Sequence, residues 1–173
     1  NAYPHLLHVG LKERFPYAVV NVVVTAIGGE NSIQGAKRFD ADVLPLKPDV
    51  VTIDYGLNDR GIPMEATKKA WTEMVRKCQH KGIKVLLLTP SPDQSAKIFD
   101  EHDPLSLQTA QIRQIANDTG VGLVDVYHRF QDLVRGGAEL PAYMSQVNHP
   151  NRKGHEEITA MLLPWFLTPK PPK

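Results

Sequence analysis

The residues best suited to chemistry lie close to the C-terminal end, in Val147-Asn148-His149-Pro150-Asn151-Arg152-Lys153-Gly154-His155. Pro150 locks its own φ and biases His149 towards an extended backbone. It also suits the first turn of a helix, where a missing N–H is no loss. His149 is therefore expected on the loop at a helix start, its ring held out from the scaffold, where an α/β enzyme keeps a general base. A His-Pro pair equally suits a surface histidine beside an ordinary helix, so the weight comes from upstream. There, Ile27-Gly28-Gly29-Glu30-Asn31-Ser32 and Gly56-Leu57-Asn58-Asp59 each follow a run of apolar residues. A glycine turn between strand and helix aims backbone N–H groups at whatever lies beyond the helix N-terminus. Gly-Gly alone fits any tight turn, and Asn58 alone could cap its own backbone.

These groups must be positioned by the elements around them. Leu6, Leu7, Val9 and Leu11, with Pro4 in an early turn, predict an amphipathic helix over residues 2–14. His5 and His8 could share a face of it but lack a third ligand, and read as surface residues. Residues 18–26 are nearly all β-branched and predict a strand buried on both faces. Ile33, Ala36, Phe39, Val43 and Leu44 then recur at helical spacing. Residues 49–55 predict a second strand, and Pro63 opens a long helix that Gly82 closes. Residues 83–89 form a third strand, leading into a polar loop from Pro90 to about His102. A helix ends before Gly120, residues 121–126 form a fourth strand, and a short helix covers 127–134. The last helix runs over 151–166, with a frayed Pro-Lys-Pro-Pro-Lys tail. Alternating helices and hydrophobic strands predict an α/β fold with a parallel sheet covered on both faces. Sites in such sheets lie at the carboxyl ends of the strands. Gly29, Asn58 and the Pro90 loop fall on that edge, and His149 can reach it.

Composition narrows the options. A chain of 173 residues, 42% apolar and 23% charged, fits one globular domain with a real core. A formal charge of +1 provides no broad basic field, so nucleic acid is not favoured as a partner. Cys78 is the sole cysteine and has no disulfide partner within the chain. No apolar run approaches the roughly 20 residues of a membrane span. No cofactor is implied, and His149 with His155, six apart, lack a third metal ligand. The Gly28-Gly29 turn lacks the longer fingerprint of a nucleotide site.

Taken in order, the blocks resemble the SGNH (GDSL-type) hydrolase family over nearly the whole chain. Ala26-Ile27-Gly28-Gly29-Glu30-Asn31-Ser32 is similar to the family's second block, Gly56-Leu57-Asn58-Asp59 to its third, and Asn148-His149-Pro150-Asn151 to its fifth. The resemblance implies a flavodoxin-like three-layer α/β/α sandwich. It also implies an oxyanion-hole N–H from Gly29, a side-chain amide donor from Asn58, and His149 as the base. The implied activity is serine ester hydrolysis of a small acyl ester, such as an acetylated carbohydrate or a lipid. That chemistry needs donors placed where the carbonyl oxygen becomes negative, and a glycine N–H with an Asn amide meets the need.

The chain departs from the family pattern twice. The opening block, a strand ending in the nucleophilic serine, is missing. In the family's sheet that strand lies between those at residues 18–26 and 49–55, so a further segment of polypeptide is expected to fill the slot and complete the sheet. Ser32, Ser91, Ser95, Ser106 and Ser145 do not sit in a comparable turn. Second, the position three before the histidine, often Asp, is Gln146 here. Gln146 could accept an imidazole N–H, and Asp93 could bring a carboxylate from elsewhere, whereas Asp59 and Asp125 read as structural. Gln146 and the absent serine also fit an alternative, a non-catalytic ligand-binding module of the same fold. Ligand specificity is expected in the loops at residues 60–64 and 91–103.

Overall fold

The computed structural model describes residues 2–166. Strands β1 (Val50–Ile53), β2 (Lys84–Leu88) and β3 (Gly122–Val124) form one parallel sheet in the order β1-β2-β3. Val51 pairs with Val85, and Leu87 with Leu123. Between and around them run α1 (Tyr3–Arg14), α2 (Ser32–Asp42), α3 (Met64–His80), α4 (Pro104–Thr119), α5 (Val126–Arg135) and α6 (Arg152–Leu162).

The layers follow from the two faces of β2, whose successive side chains alternate. Val85 and Leu87 join a core with Phe39 of α2, Trp71, Met74 and Val75 of α3, and Ile112 and Ile115 of α4. Leu86 and Leu88 point the other way, against Leu7 and Leu11 of α1, Phe130 of α5, and Ile158 and Leu162 of α6. Both faces are therefore dry, which is why the strand reads as an unbroken apolar run. Each such side chain contributes about 1.5–3 kcal/mol of transfer free energy when fully buried. The fold is the flavodoxin-like three-layer sandwich, with α2–α3–α4 on one face and α1–α5–α6 on the other.

The helix starts obey local chemistry. Asn31 and Gln34 form a reciprocal capping box at the head of α2, and Asp103 caps α4, which ends on Gly120 at φ 67°. Pro4 sits in the first turn of α1 as expected. Pro150 does not sit in the first turn of α6. Asn151 is the cap there, so the proline lies one residue outside the helix and stiffens the loop instead. The expected helix over 151–166 is α6 followed by a 3-10 turn at Leu163–Phe166, and the Pro-Lys-Pro-Pro-Lys tail lies outside the described residues.

One expected element is not formed. Residues 18–26 make no strand. A strand exists only by pairing, and among the described residues no backbone N–H from Val19 to Gly29 donates a hydrogen bond. Val20 packs beside Val50 against the α1–α6 layer, while Val19, Val23 and Val24 are 91%, 62% and 62% exposed. β1 is correspondingly an edge of the sheet, unpaired on the side away from β2. Among the described residues no helix is long and apolar enough to cross a membrane.

Candidate active site

The glycine turn and the Asn58 turn are held together by one bond. Glu30 N–H donates to Ile27 O (3.3 Å), which puts Gly28 and Gly29 at the corner. Gly29 has φ 77°, left-handed backbone that a Cβ would strain. Its N–H is unclaimed among the described residues. Asn58 Nδ2 donates to Glu30 O at 2.9 Å. That contact uses one of the amide's two N–H groups and leaves the other for a ligand.

Two carboxylates behind this pair keep it rigid. Arg38 donates to Glu30 through Nε (2.7 Å) and Nη2 (2.5 Å), and the Tyr55 hydroxyl lies 3.4 Å from Oε2. The Arg38 bonds hold the Glu30 carboxyl below its ordinary range. Asp59, buried, accepts the Ser32 N–H (2.9 Å) at the head of α2 and the Trp71 Nε1–H (2.7 Å) from α3. Burial pushes the Asp59 carboxyl up, and those two donors oppose the shift. Asp59 thus ties the Asn58 turn to two helices, which is the structural role its sequence context suggested.

The histidine loop closes on itself. Met144 and Pro150 form an antiparallel bridge, and the Ser145 N–H (2.9 Å) and Oγ–H (3.1 Å) both donate to His149 O. Asn151 accepts the Gly154 N–H at 3.2 Å while its Nδ2 donates to Ala142 O at 2.9 Å. His149 is left exposed, and neither ring nitrogen has a hydrogen-bond partner among the described residues. His149 lines a cleft of about 180 Å³ whose walls also include Asn58, Tyr3, Asp54, Ser91 and His155. His149 and Asn58, 91 positions apart in the chain, therefore share one cavity at the carboxyl edge of the sheet. Gly29 is not part of that wall. It joins through Glu30, the residue whose carbonyl Asn58 holds.

The other singled-out residues sort by their partners. Gln146 offers a side-chain amide with no hydrogen-bond partner among the described residues, while its main-chain carbonyl accepts from Gln94 Nε2 (2.9 Å). The buried Asp93 carboxylate is engaged by Arg60 Nη1 (3.0 Å) and by the Ser95 N–H and hydroxyl, and it makes no hydrogen bond to His149 among the described residues. Burial alone would raise its carboxyl, but Ser95 and Arg60 bring it below the ordinary value. Asp125 caps α5 and pairs with Arg113 Nε at 2.7 Å.

Tyr3 and Asp54 line the cleft without having been anticipated as site residues, whereas Ser91 belongs to a loop expected to carry ligand specificity. Thr52 and Asp54 break an otherwise apolar strand at alternate positions, a period-2 hint that one face of β1 meets something polar. Loss of surrounding water pushes the Asp54 carboxyl up to about 7, and a hydrogen bond from Tyr3 opposes that. His155 is half-buried with Nδ1 unpartnered among the described residues, its ring 6.1 Å from that of Tyr3. Burial and the neighbouring His149 lower its basicity. Among the described residues no cluster of three His, Cys, Asp or Glu side chains could hold a metal ion.

A parallel α/β/α sandwich whose carboxyl edge holds His149 and Asn58 on one cleft has the fold of a class of hydrolases. Within that class, the chain belongs to the GDSL-like lipase/acylhydrolase family, whose pattern matches residues 1–157. Solved structures agree. LAE5, an alpha/beta hydrolase enzyme from the metagenome of Lake Arreo, Spain, is 27% identical with a TM-score of 0.84, over 97% of this chain and 83% of that one. Axe2, an acetylxylan esterase from Geobacillus stearothermophilus, is 21% identical with a TM-score of 0.84, over 95% and 80% of the two chains. The acetyl xylan esterase AlAXEase is 23% identical with a TM-score of 0.79, over 95% and 89%. No curated protein matches the chain.

Proposed function

We propose that the protein is a serine ester hydrolase that removes a small acyl group, with acetyl esters of carbohydrate as the first class to test. The observation that carries this reading is the cleft shared by His149 and Asn58, with the unclaimed Gly29 N–H held next to Asn58 through Glu30. The nucleophilic serine is proposed to come from a strand that enters the slot between residues 18–26 and β1, completing the sheet. The chemistry then runs in two halves. His149 takes the serine proton as the oxygen bonds to the ester carbonyl carbon. The oxyanion so formed accepts from Gly29 N–H and from the second Asn58 N–H. The imidazolium returns its proton to the departing alcohol, leaving an acyl-serine. Water repeats the sequence, giving the carboxylic acid and free serine.

In this scheme Gln146 is the group at hand to orient the imidazole, while Asp93 supports the site through Arg60. A glutamine carbonyl can accept the ring N–H but cannot stabilise the imidazolium as a carboxylate does, so turnover should be modest. Acetyl esters are chosen because a cleft of about 180 Å³ suits a small acyl group, and because Axe2 and AlAXEase are acetylxylan esterases. The test is turnover of p-nitrophenyl acetate and of acetylated xylo-oligosaccharide by the full-length protein and its His149→Ala variant. Turnover that collapses in the variant supports the reading. Equal turnover removes His149 from the mechanism, and no turnover by either protein favours the binding-module alternative.

A further inference from the structure

Asn58 and His149 sit on loops of different origin, and among the described residues no hydrogen bond joins them. What spans them is the segment after β2. On one side, Arg60 Nε donates to Leu57 O at 3.1 Å, closing the turn that carries Asn58, and Arg60 Nη1 pairs with Asp93 Oδ2 at 3.0 Å. Asp93 is itself buried and pinned by the Ser95 N–H. On the other side, the next residue makes both of its contacts to the histidine loop. Gln94 N–H donates to Val147 O at 2.8 Å, and Gln94 Nε2 donates to Gln146 O at 2.9 Å. The path Leu57–Arg60–Asp93–Gln94–Gln146/Val147 is continuous, and it links the two halves of the cleft through side chains of one dipeptide.

We infer that Asp93 and Gln94 act as a clamp that sets the distance and angle between the His149 ring and the Asn58 amide, with Gln94 a positioning residue for the base. This rests on the esterase reading of the same site. The loop at residues 145–149 is exposed over most of its length and bonds mainly to itself, so without the Gln94 side-chain amide it would keep its internal shape but be registered against the sheet edge by the Gln94 N–H to Val147 O bond alone. A base held by a loop loses rate steeply when the reacting atoms drift, by up to roughly 100-fold for about 1 Å. The loss should be greatest where the imidazolium must hand a proton to a poor leaving group, because that transfer needs hydrogen-bond reach.

Gln94 is exposed, so its variants should fold. In the full-length protein, kcat/KM is measured for p-nitrophenyl acetate, whose phenolate leaves without a proton, and for ethyl acetate, whose alkoxide does not. Gln94→Ala, and the isosteric Gln94→Glu that keeps the shape but removes the donor, should both lose about 10-fold or more on ethyl acetate and only a few-fold on p-nitrophenyl acetate. Melting temperatures should stay within about 2 °C of the parent, as is usual for a surface substitution. Equal losses on the two esters, or Gln94→Glu behaving as the parent, overturn the clamp. His149→Ala serves as the reference. If that variant is inactive while both Gln94 variants match the parent, the clamp alone falls; if it keeps full activity, the esterase reading falls and the clamp with it.

Discussion

Asn58 carries two duties with one side chain. Its amide holds the Glu30 carbonyl at 2.9 Å and, in the esterase scheme, offers its remaining N–H to the oxyanion. The two duties differ in size. An intramolecular hydrogen bond at an exposed site adds about 0.5–1.5 kcal/mol to stability, while one oxyanion donor is worth about 3–4 kcal/mol of barrier. Asn58→Ala in the full-length enzyme should therefore lower kcat by roughly 100–1000-fold with a melting point only slightly reduced. A loss in kcat below about tenfold would mean that the amide only ties the two turns together. At this scale the sequence singled out Asn58, Gly29 and His149 through their resemblance to family blocks, and the structure puts Asn58 and His149 on one cleft. Tyr3 could not be singled out, because nothing in its own surroundings says that it lines a cleft.

At the scale of the element, the start of α6 and the histidine loop act as one piece. A Cβ on Gly154 would lie 2.5 Å from Tyr143 O and 2.8 Å from Pro150 Cβ, the backbone and ring that frame His149. Neither neighbour is a flexible tip that could swing away, so the strain must move the helix start or the loop. Gly154→Ala should cost about 1–3 kcal/mol, as overpacking does, and should depress esterase turnover further than that loss of stability would alone. Thermal unfolding and p-nitrophenyl acetate kinetics on the same sample check both. An unchanged melting point with unchanged turnover would show that the contact relaxes freely. Helix stops were legible, since Gly82 and Gly120 terminate as expected, while the caps Asn31, Asp103 and Asn151 were not singled out, although their bonds span only a few residues. Pro150 was misplaced by one position because Asn151 outcompetes it as the cap.

At the scale of the whole fold, the sheet has three strands and an open side among the described residues. Residues 18–26 have the composition of a buried strand and the exposure of a loop, with Val19 91% accessible. If a strand occupies the slot beside β1, the amides of residues 19–26 should exchange with solvent quickly in the 173-residue chain and become protected in the full-length protein. Hydrogen exchange followed by mass spectrometry reads this directly. Protection unchanged between the two would remove the proposed place of the serine strand, and with it the route by which a nucleophile reaches His149.

Sequence alone was enough for the order of the helices, for three of the four expected strands, for the parallel sheet dry on both faces, and for the sheet edge where Asn58 and His149 line one cleft. Those features rest on periodicity, caps and glycine turns, whose physics acts within a turn or two of chain. Only the tertiary structure decided that residues 18–26 join no strand among the described residues, that Tyr3 and Asp54 wall the cleft, and that Asp93 belongs to Arg60 and Ser95. Strand pairing, cavity walls and the partner of a buried carboxylate are each chosen by groups distant in sequence. Arg60 and Asp93 are 33 positions apart, and Gln94 and Gln146 are 52 apart. Which distant donor reaches a given acceptor is a matter of packing, and packing is settled only when all the layers are in place.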